Sequence, residues 1–205
     1  MICIIDYGAG NIESVRKAFE YIGADVVVSA DPKVLMECEG AVLPGVGSFG
    51  DAMDNLRASG FEAPIKEYIA SGRPLLGICL GLQLLFESSE ESPGAVGLGV
   101  LKGKILRIPA AEGLKIPHMG WNSLKIKEGA KIYEGAGAEP YVYFVHSYYL
   151  KAEEDIVSAT ADYGVTIHAS VAKGNLWACQ FHPEKSGKVG IRLLENFNKL
   201  VKGEK

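Results

Sequence analysis

Before residue 80 the chain alternates short apolar runs with amphipathic stretches. MICIID reads as a buried strand, and GNIESVRKAFEYIG has helical periodicity closed by Gly23. DVVVSAD is a second strand, and Asp31-Pro32 opens a helix with proline in its first turn. GAVLPG, a helical stretch near Asp51 to Ala58 and a helix from Phe61 to Ala70 then lead into PLLGIC. Strands separated by helices require right-handed crossovers, which build a mostly parallel sheet with flanking helices, an α/β fold.

After about Pro93 the pattern changes. VLKGKILRI, WNSLKIKEG, YVYFVHSYYL, DIVSATADYG, VTIHASVAKGN and LWACQFHPE read as strands joined by turn residues such as Lys173-Gly174-Asn175. Close spacing makes these an antiparallel extension in the C-terminal half. A last helix runs from about Ser186 to Lys202. With 205 residues, no repeat and no low-complexity linker, one domain over 1–205 is expected.

Composition removes several functions. A net charge of −4 provides no electrostatic reason to bind nucleic acid or an anionic membrane. No apolar run is long enough to span a bilayer, and MICIIDYGAG lacks the basic start of a signal peptide. Cys3, Cys38, Cys79 and Cys179 lie far apart with no zinc-ligand spacing, so no metal and a cytoplasmic, reduced setting are expected. GVGSFG matches G-x-G-x-x-G, but the acidic residue due about 20 positions later falls near Glu67, inside a helix. YGAGNIE has Glu13 where the third glycine should be. Neither is a complete dinucleotide fingerprint, and no cofactor is expected.

Cys79 is the exception to this plainness. GICLG, Gly77 to Gly81, has the form of a nucleophile elbow with cysteine in place of serine. Small flanking residues let strand and helix approach, and the helix N-terminus favours a thiolate. A base with its orienting group lies downstream. In QFHPE, Pro183 biases His182 to an extended conformation, so His182 and Glu184 at i and i+2 point the same way. Alternation along LWACQFH puts Cys179 and Phe181 on one face, with Gln180 and His182 on the other. Cys179 is therefore core. His146 is a competing base without a carboxylate beside it.

GICLGLQLLFE together with QFHPEKS resembles the class I (triad) glutamine amidotransferases. YGAGNIESV, LPGVGSFGDAM, PHMGWN and YFVHSYY narrow the resemblance to the glutaminase subunits of imidazole glycerol phosphate synthase. The related glutaminases of pyridoxal phosphate synthase would carry a GGES-type block where this chain has PGVG. The resemblance spans almost the whole chain. It implies a flavodoxin-like sheet, a triad of Cys79, His182 and Glu184, and an oxyanion hole from backbone N–H groups near Val46 and at Leu80. It further implies a glutamine pocket lined by Gly47, Gln83, His146, Ser147 and Tyr148. The implied partner is a (β/α)8-barrel cyclase that takes up the ammonia in histidine biosynthesis. Pro117, Met119 and Trp121 of PHMGWN are the expected contact with it.

Overall fold

The computed structural model describes residues 1–204. In chain order its elements are β1 (Ile2–Ile5), α1 (Ile12–Tyr21), β2 (Val26–Ser29), α2 (Pro32–Glu37), β3 (Gly40–Gly45), α3 (Phe49–Ala58), α4 (Glu62–Ala70), β4 (Leu75–Cys79) and α5 (Leu80–Leu84). There follow β5 (Ser88–Ser89), β6 (Gly103–Arg107), β7 (His118–Ser123), β8 (Lys125–Ile126), β9 (Tyr141–His146), β10 (Tyr148–Ala152), β11 (Val157–Asp162), β12 (Thr166–Lys173), β13 (Leu176–Cys179) and α6 (Gly187–Val201).

The main sheet has the order β2-β1-β3-β4-β13-β12-β11-β8. Pairing is parallel from β2 to β13 and antiparallel from β13 to β8. The first four strands follow the doubly wound order 2-1-3-4, and β13 arrives from the far end of the chain to occupy the fifth place. Alternation in β1 sends Ile2 and Ile4 to one face and Cys3 and Ile5 to the other. Val15 and Phe19 of α1 and Leu193 and Phe197 of α6 cover the first face. Leu35, Leu56 and Tyr68, from α2, α3 and α4, cover the second. The α/β reading therefore holds, including the antiparallel C-terminal half.

Local signals account for several boundaries. Asp31 caps α2, its side chain accepting from the Lys33 N–H at 2.9 Å. Ser48 caps α3, which begins two residues before the expected start at Asp51. Phe61 is the N-cap of α4 rather than its first helical residue. The helix after Cys79 is brief, ending at Leu84.

Two strands expected to be continuous are broken. YVYFVHSYYL divides at Ser147: β9 pairs with β7 in a two-stranded ribbon, while β10 joins β6 and β5 in a separate three-stranded sheet. WNSLKIKEG divides at Leu124, with β7 in the ribbon and β8 at the edge of the main sheet. Neither break carries glycine or proline; tertiary pairing makes them. Among the described residues no helix is long and apolar enough to cross a membrane.

Candidate active site

Cys79 ends β4 and stands immediately before α5, with φ +56° and ψ −110°. Among the described residues it is the sole non-glycine with positive φ. Holding an L-residue there costs about 1–3 kcal/mol, which the packing around it must supply. The flanking glycines explain how. A Cβ at residue 81 would lie 1.9 Å from the Leu43 carbonyl oxygen. One at residue 77 would lie 3.0 Å from the Gly81 carbonyl oxygen and 3.1 Å from the Ala178 Cβ. Strand, turn and helix approach this closely only because both positions lack a side chain.

β13 pairs directly with β4, so the chain that follows it emerges at the same carboxyl-terminal edge of the sheet. This is where open α/β sheets hold their ligands. His182 N–H donates to the Tyr143 carbonyl at 3.0 Å. The Ser186 hydroxyl donates to the His182 carbonyl at 2.6 Å and accepts from the Tyr143 N–H at 2.9 Å. The turn is thus fastened to β9 on both sides of the imidazole. Gly190 of α6 packs so close that a Cβ there would sit 1.9 Å from the Pro183 carbonyl oxygen.

His182 Nδ1 lies 2.8 Å from Glu184 Oε1, and the two side chains are 3% and 1% exposed. Among the described residues, His182 Nε2 and Glu184 Oε2 are buried without a hydrogen-bond partner. Burial alone would lower the His182 pKa, but Cys79 and the Glu184 carboxylate outweigh it and draw the pKa up to about 9. Imidazolium is therefore the favoured form near neutrality. Burial pushes the Cys179 thiol well up, with the nearby Glu184 charge adding to it. This residue packs with Phe181 in the core, as the alternation of its strand requires.

A cavity of about 230 Å³ joins these groups. It is lined by Cys79 and His182, by Val46, Gly47, Leu80 and Gln83, and by His146, Ser147 and Tyr148. All the expected oxyanion and pocket residues therefore meet at one site. Glu184 reaches it only through His182. Gly47 adopts φ +96° in the loop after β3, a conformation that glycine takes at little cost. His146 has no free ring nitrogen: Nδ1 is 2.8 Å from the Tyr148 carbonyl and Nε2 is 2.9 Å from His118 Nδ1.

Val145, Gln180 and Glu91 also line the cavity and were not anticipated as site residues. Gln180 Oε1 accepts from Gln83 Nε2 at 2.9 Å, and its own Nε2 lies 3.8 Å from Cys79 Sγ. Its signal was available, since strand alternation puts Gln180 on the His182 face. Glu91 accepts from the Phe49 N–H at 2.8 Å, from a loop without any local mark of function.

Pro117, Met119 and Trp121 do not line the cavity. All three are exposed, and Met119 and Trp121 lie on the outer face of the β7–β9 ribbon, with Trp121 opposite Tyr143. No group of side chains among the described residues could hold a metal ion.

Residues 3–200 match the family model described as "Glutamine amidotransferase class-I". An "Imidazole glycerol phosphate synthase subunit HisH" of Syntrophotalea carbinolica is 51% identical, over 98% of this chain and all of the relative. The protein of the same description from Methanothermobacter thermautotrophicus is 50% identical over the same shares, and one from Bacillus cereus is 47% identical over 100% and 97%. A solved glutamine amidotransferase superposes with a TM-score of 0.76 at 20% identity, over 98% of each chain, a likeness of fold. The chain belongs to the class I glutamine amidotransferases and, within them, to the HisH family of imidazole glycerol phosphate synthase subunits.

Proposed function

We propose that this cavity hydrolyses the side-chain amide of glutamine through Cys79, His182 and Glu184, supplying ammonia for imidazole glycerol phosphate synthesis in histidine biosynthesis. The observation that carries the reading is a strained cysteine sharing one small cavity with an imidazole whose Nε2 is unpaired and whose Nδ1 is held by a buried carboxylate.

Cys79 Sγ attacks the amide carbon, and the carbonyl π electrons move onto oxygen. As this tetrahedral intermediate collapses, His182 gives its Nε2 proton to the nitrogen, which leaves as ammonia. A γ-glutamyl thioester remains on Cys79. His182, now neutral, takes a proton from the attacking water, and the second collapse returns the thiolate and glutamate. Glu184 fixes the imidazole tautomer and stabilises the imidazolium.

The oxyanion is met by the Leu80 N–H, at the first position of α5 where no intrahelical partner exists, and by an N–H near Val46. Gly47, Gln83, His146, Ser147 and Tyr148 hold the rest of glutamine, with the Glu91 carboxylate suited to its ammonium group. The modest volume favours a free amino acid over a peptide.

The partner in this reading is a (β/α)8-barrel cyclase, in a cytoplasmic heterodimer that keeps ammonia from being protonated in water. Met119, Trp121 and Tyr141 expose 56–62% of their surface on one side of the β7–β9 ribbon, an apolar face suited to a protein partner. Control follows from the oxyanion loop. If the Gly45–Val46 peptide turns its carbonyl inward, one donor is lost, at a cost of about 10²–10³ in rate. Cyclase carrying its nucleotide would favour the N–H-inward state. The test is glutamate release by the chain alone, with cyclase, and with cyclase plus a nucleotide analogue. A rise confined mainly to kcat is expected; equal kcat in all three eliminates the switch and favours a stand-alone hydrolase.

A further inference from the structure

His118 lies behind the cavity wall and does not line the cavity. It is 2% exposed, on the inward face of β7. Its ring is clamped between Phe144, at 4.6 Å between centroids, and Tyr163, at 3.8 Å, both nearly parallel to it. So rigid a clamp on a polar ring calls for an account of both nitrogens.

One carbonyl fixes every proton in the group. The Tyr148 carbonyl can only accept, so His146 Nδ1, 2.8 Å away, carries the hydrogen. Burial pushes the His146 pKa down to about 3, so the ring is neutral and its Nε2 is a lone pair. His118 Nδ1, 2.9 Å from that lone pair, must then donate. Burial lowers the His118 pKa to about 4, so its Nε2 in turn accepts, from the Asn122 amide at 3.4 Å. The Asn122 amide is itself oriented: it donates to the Asp162 carbonyl at 3.0 Å, and its oxygen accepts from the Ser123 N–H at 2.8 Å.

At the other end, the Tyr148 carbonyl accepts a second hydrogen bond, from Gln83 Nε2 at 3.2 Å. This peptide lies where the chain turns from the ribbon into the three-stranded sheet, and it forms part of the cavity wall. Two donors hold it, and one of them is oriented by His118.

We propose that His118 is a positioning residue for the glutamine pocket: its Nδ1–H fixes His146, which holds the Ser147–Tyr148 wall in the form that binds glutamine. The inference rests on the glutamine reading of the cavity. Without the His118 donor, His146 Nε2 becomes a buried acceptor with no partner, and the ring regains a reason to rotate or change tautomer. Either change takes away the shorter of the two hydrogen bonds that hold the Tyr148 carbonyl. The consequence belongs to binding, because neither histidine contacts the Cys79–His182–Glu184 line through a hydrogen bond.

The test is steady-state glutaminase kinetics of His118→Phe and His118→Asn in complex with the cyclase. Phenylalanine keeps the stack on Phe144 and Tyr163 but has no donor, whereas asparagine places Nδ2 where ring Nδ1 was. His118→Phe should raise KM for glutamine about tenfold with kcat within about threefold of wild type, and His118→Asn should recover most of the loss. An unchanged KM in the folded Phe variant, or equal damage in both variants, overturns the proposal. Where the Phe variant fails to fold, ¹⁵N-resolved NMR of the wild-type histidines decides. His146 and His118 should both be neutral and protonated on Nδ1, and an Nε2-protonated His146 overturns the relay. Absence of glutamate release by the wild-type complex would overturn the glutamine reading instead, a result distinct from either outcome for the histidines.

Discussion

A side chain on residue 81 would place its Cβ 1.9 Å from the carbonyl oxygen of Leu43, on the neighbouring strand. That contact is rigid backbone, so it has no inexpensive relief. Gly81→Ala should cost at or beyond the upper end of the usual overpacking range of about 1–3 kcal/mol, and should remove activity with it. Urea denaturation of the variant checks this, and unchanged stability would mean that α5 is free to move away from β3.

The elbow strain has a distinctive sign. At an unstrained position alanine is more stabilising than glycine by about 0.4–1 kcal/mol, through the unfolded chain. At residue 79, with φ +56°, the order should reverse. Cys79→Gly should be more stable than Cys79→Ala by about 1 kcal/mol. Denaturation midpoints of the two variants decide it, and a more stable alanine variant would deny the strain.

Cys79 should be the one thiol that reacts with a diazoketone analogue of glutamine. Burial pushes Cys3 up to about 12 and, with the Glu184 charge, holds Cys179 well above its ordinary value. Cys38 is raised too, chiefly by burial. Peptide mass spectrometry should find label on Cys79 alone; comparable labelling of any other cysteine sinks the assignment.

His182 should titrate near 9 in the folded protein, against about 6.5 unfolded. Because the folded value is raised, its contribution to stability is complete below about pH 6.5 and disappears as pH rises toward 9. Glu184→Gln removes the anion at 2.8 Å and should bring the titration back toward the ordinary value, with lower turnover. Histidine NMR across pH 6–10 measures both proteins. Coincident titrations would show that Glu184 does not hold the proton on His182.

Trp121 is 56% exposed, so truncating it should leave the subunit folded. Trp121→Ala should weaken association with the cyclase by roughly 2 kcal/mol, the scale of an aromatic interface anchor. Titration calorimetry against the cyclase is the measurement. Unchanged affinity would place the interface elsewhere.

The first half of the chain was legible because its signals are local: Asp31 before Pro32, apolar runs bounded by glycine, and the paired glycines around Cys79. His182 and Glu184 could be read from two residues and the proline between them. The break at Ser147 could not, because nothing in HSYY marks a turn and the two halves separate only when different sheets claim them. Glu91 and His118 were hidden for the same reason. Each acquires its meaning from residues distant in the chain, Phe49 for one and His146 for the other.

The insertion of β13 beside β4 also sets a timetable. Leu75 pairs with Leu176, so the sheet whose strand ends at Cys79 is finished by a strand made about a hundred residues later. At a synthesis rate of about 5–20 residues per second, a growing chain carries Cys79 for many seconds before His182 is made. Every unfinished copy therefore lacks the Cys79–His182 pair on which the proposed hydrolysis depends. The same delay leaves β4 as an open sheet edge during synthesis, with unpaired N–H and C=O groups that another chain can pair with.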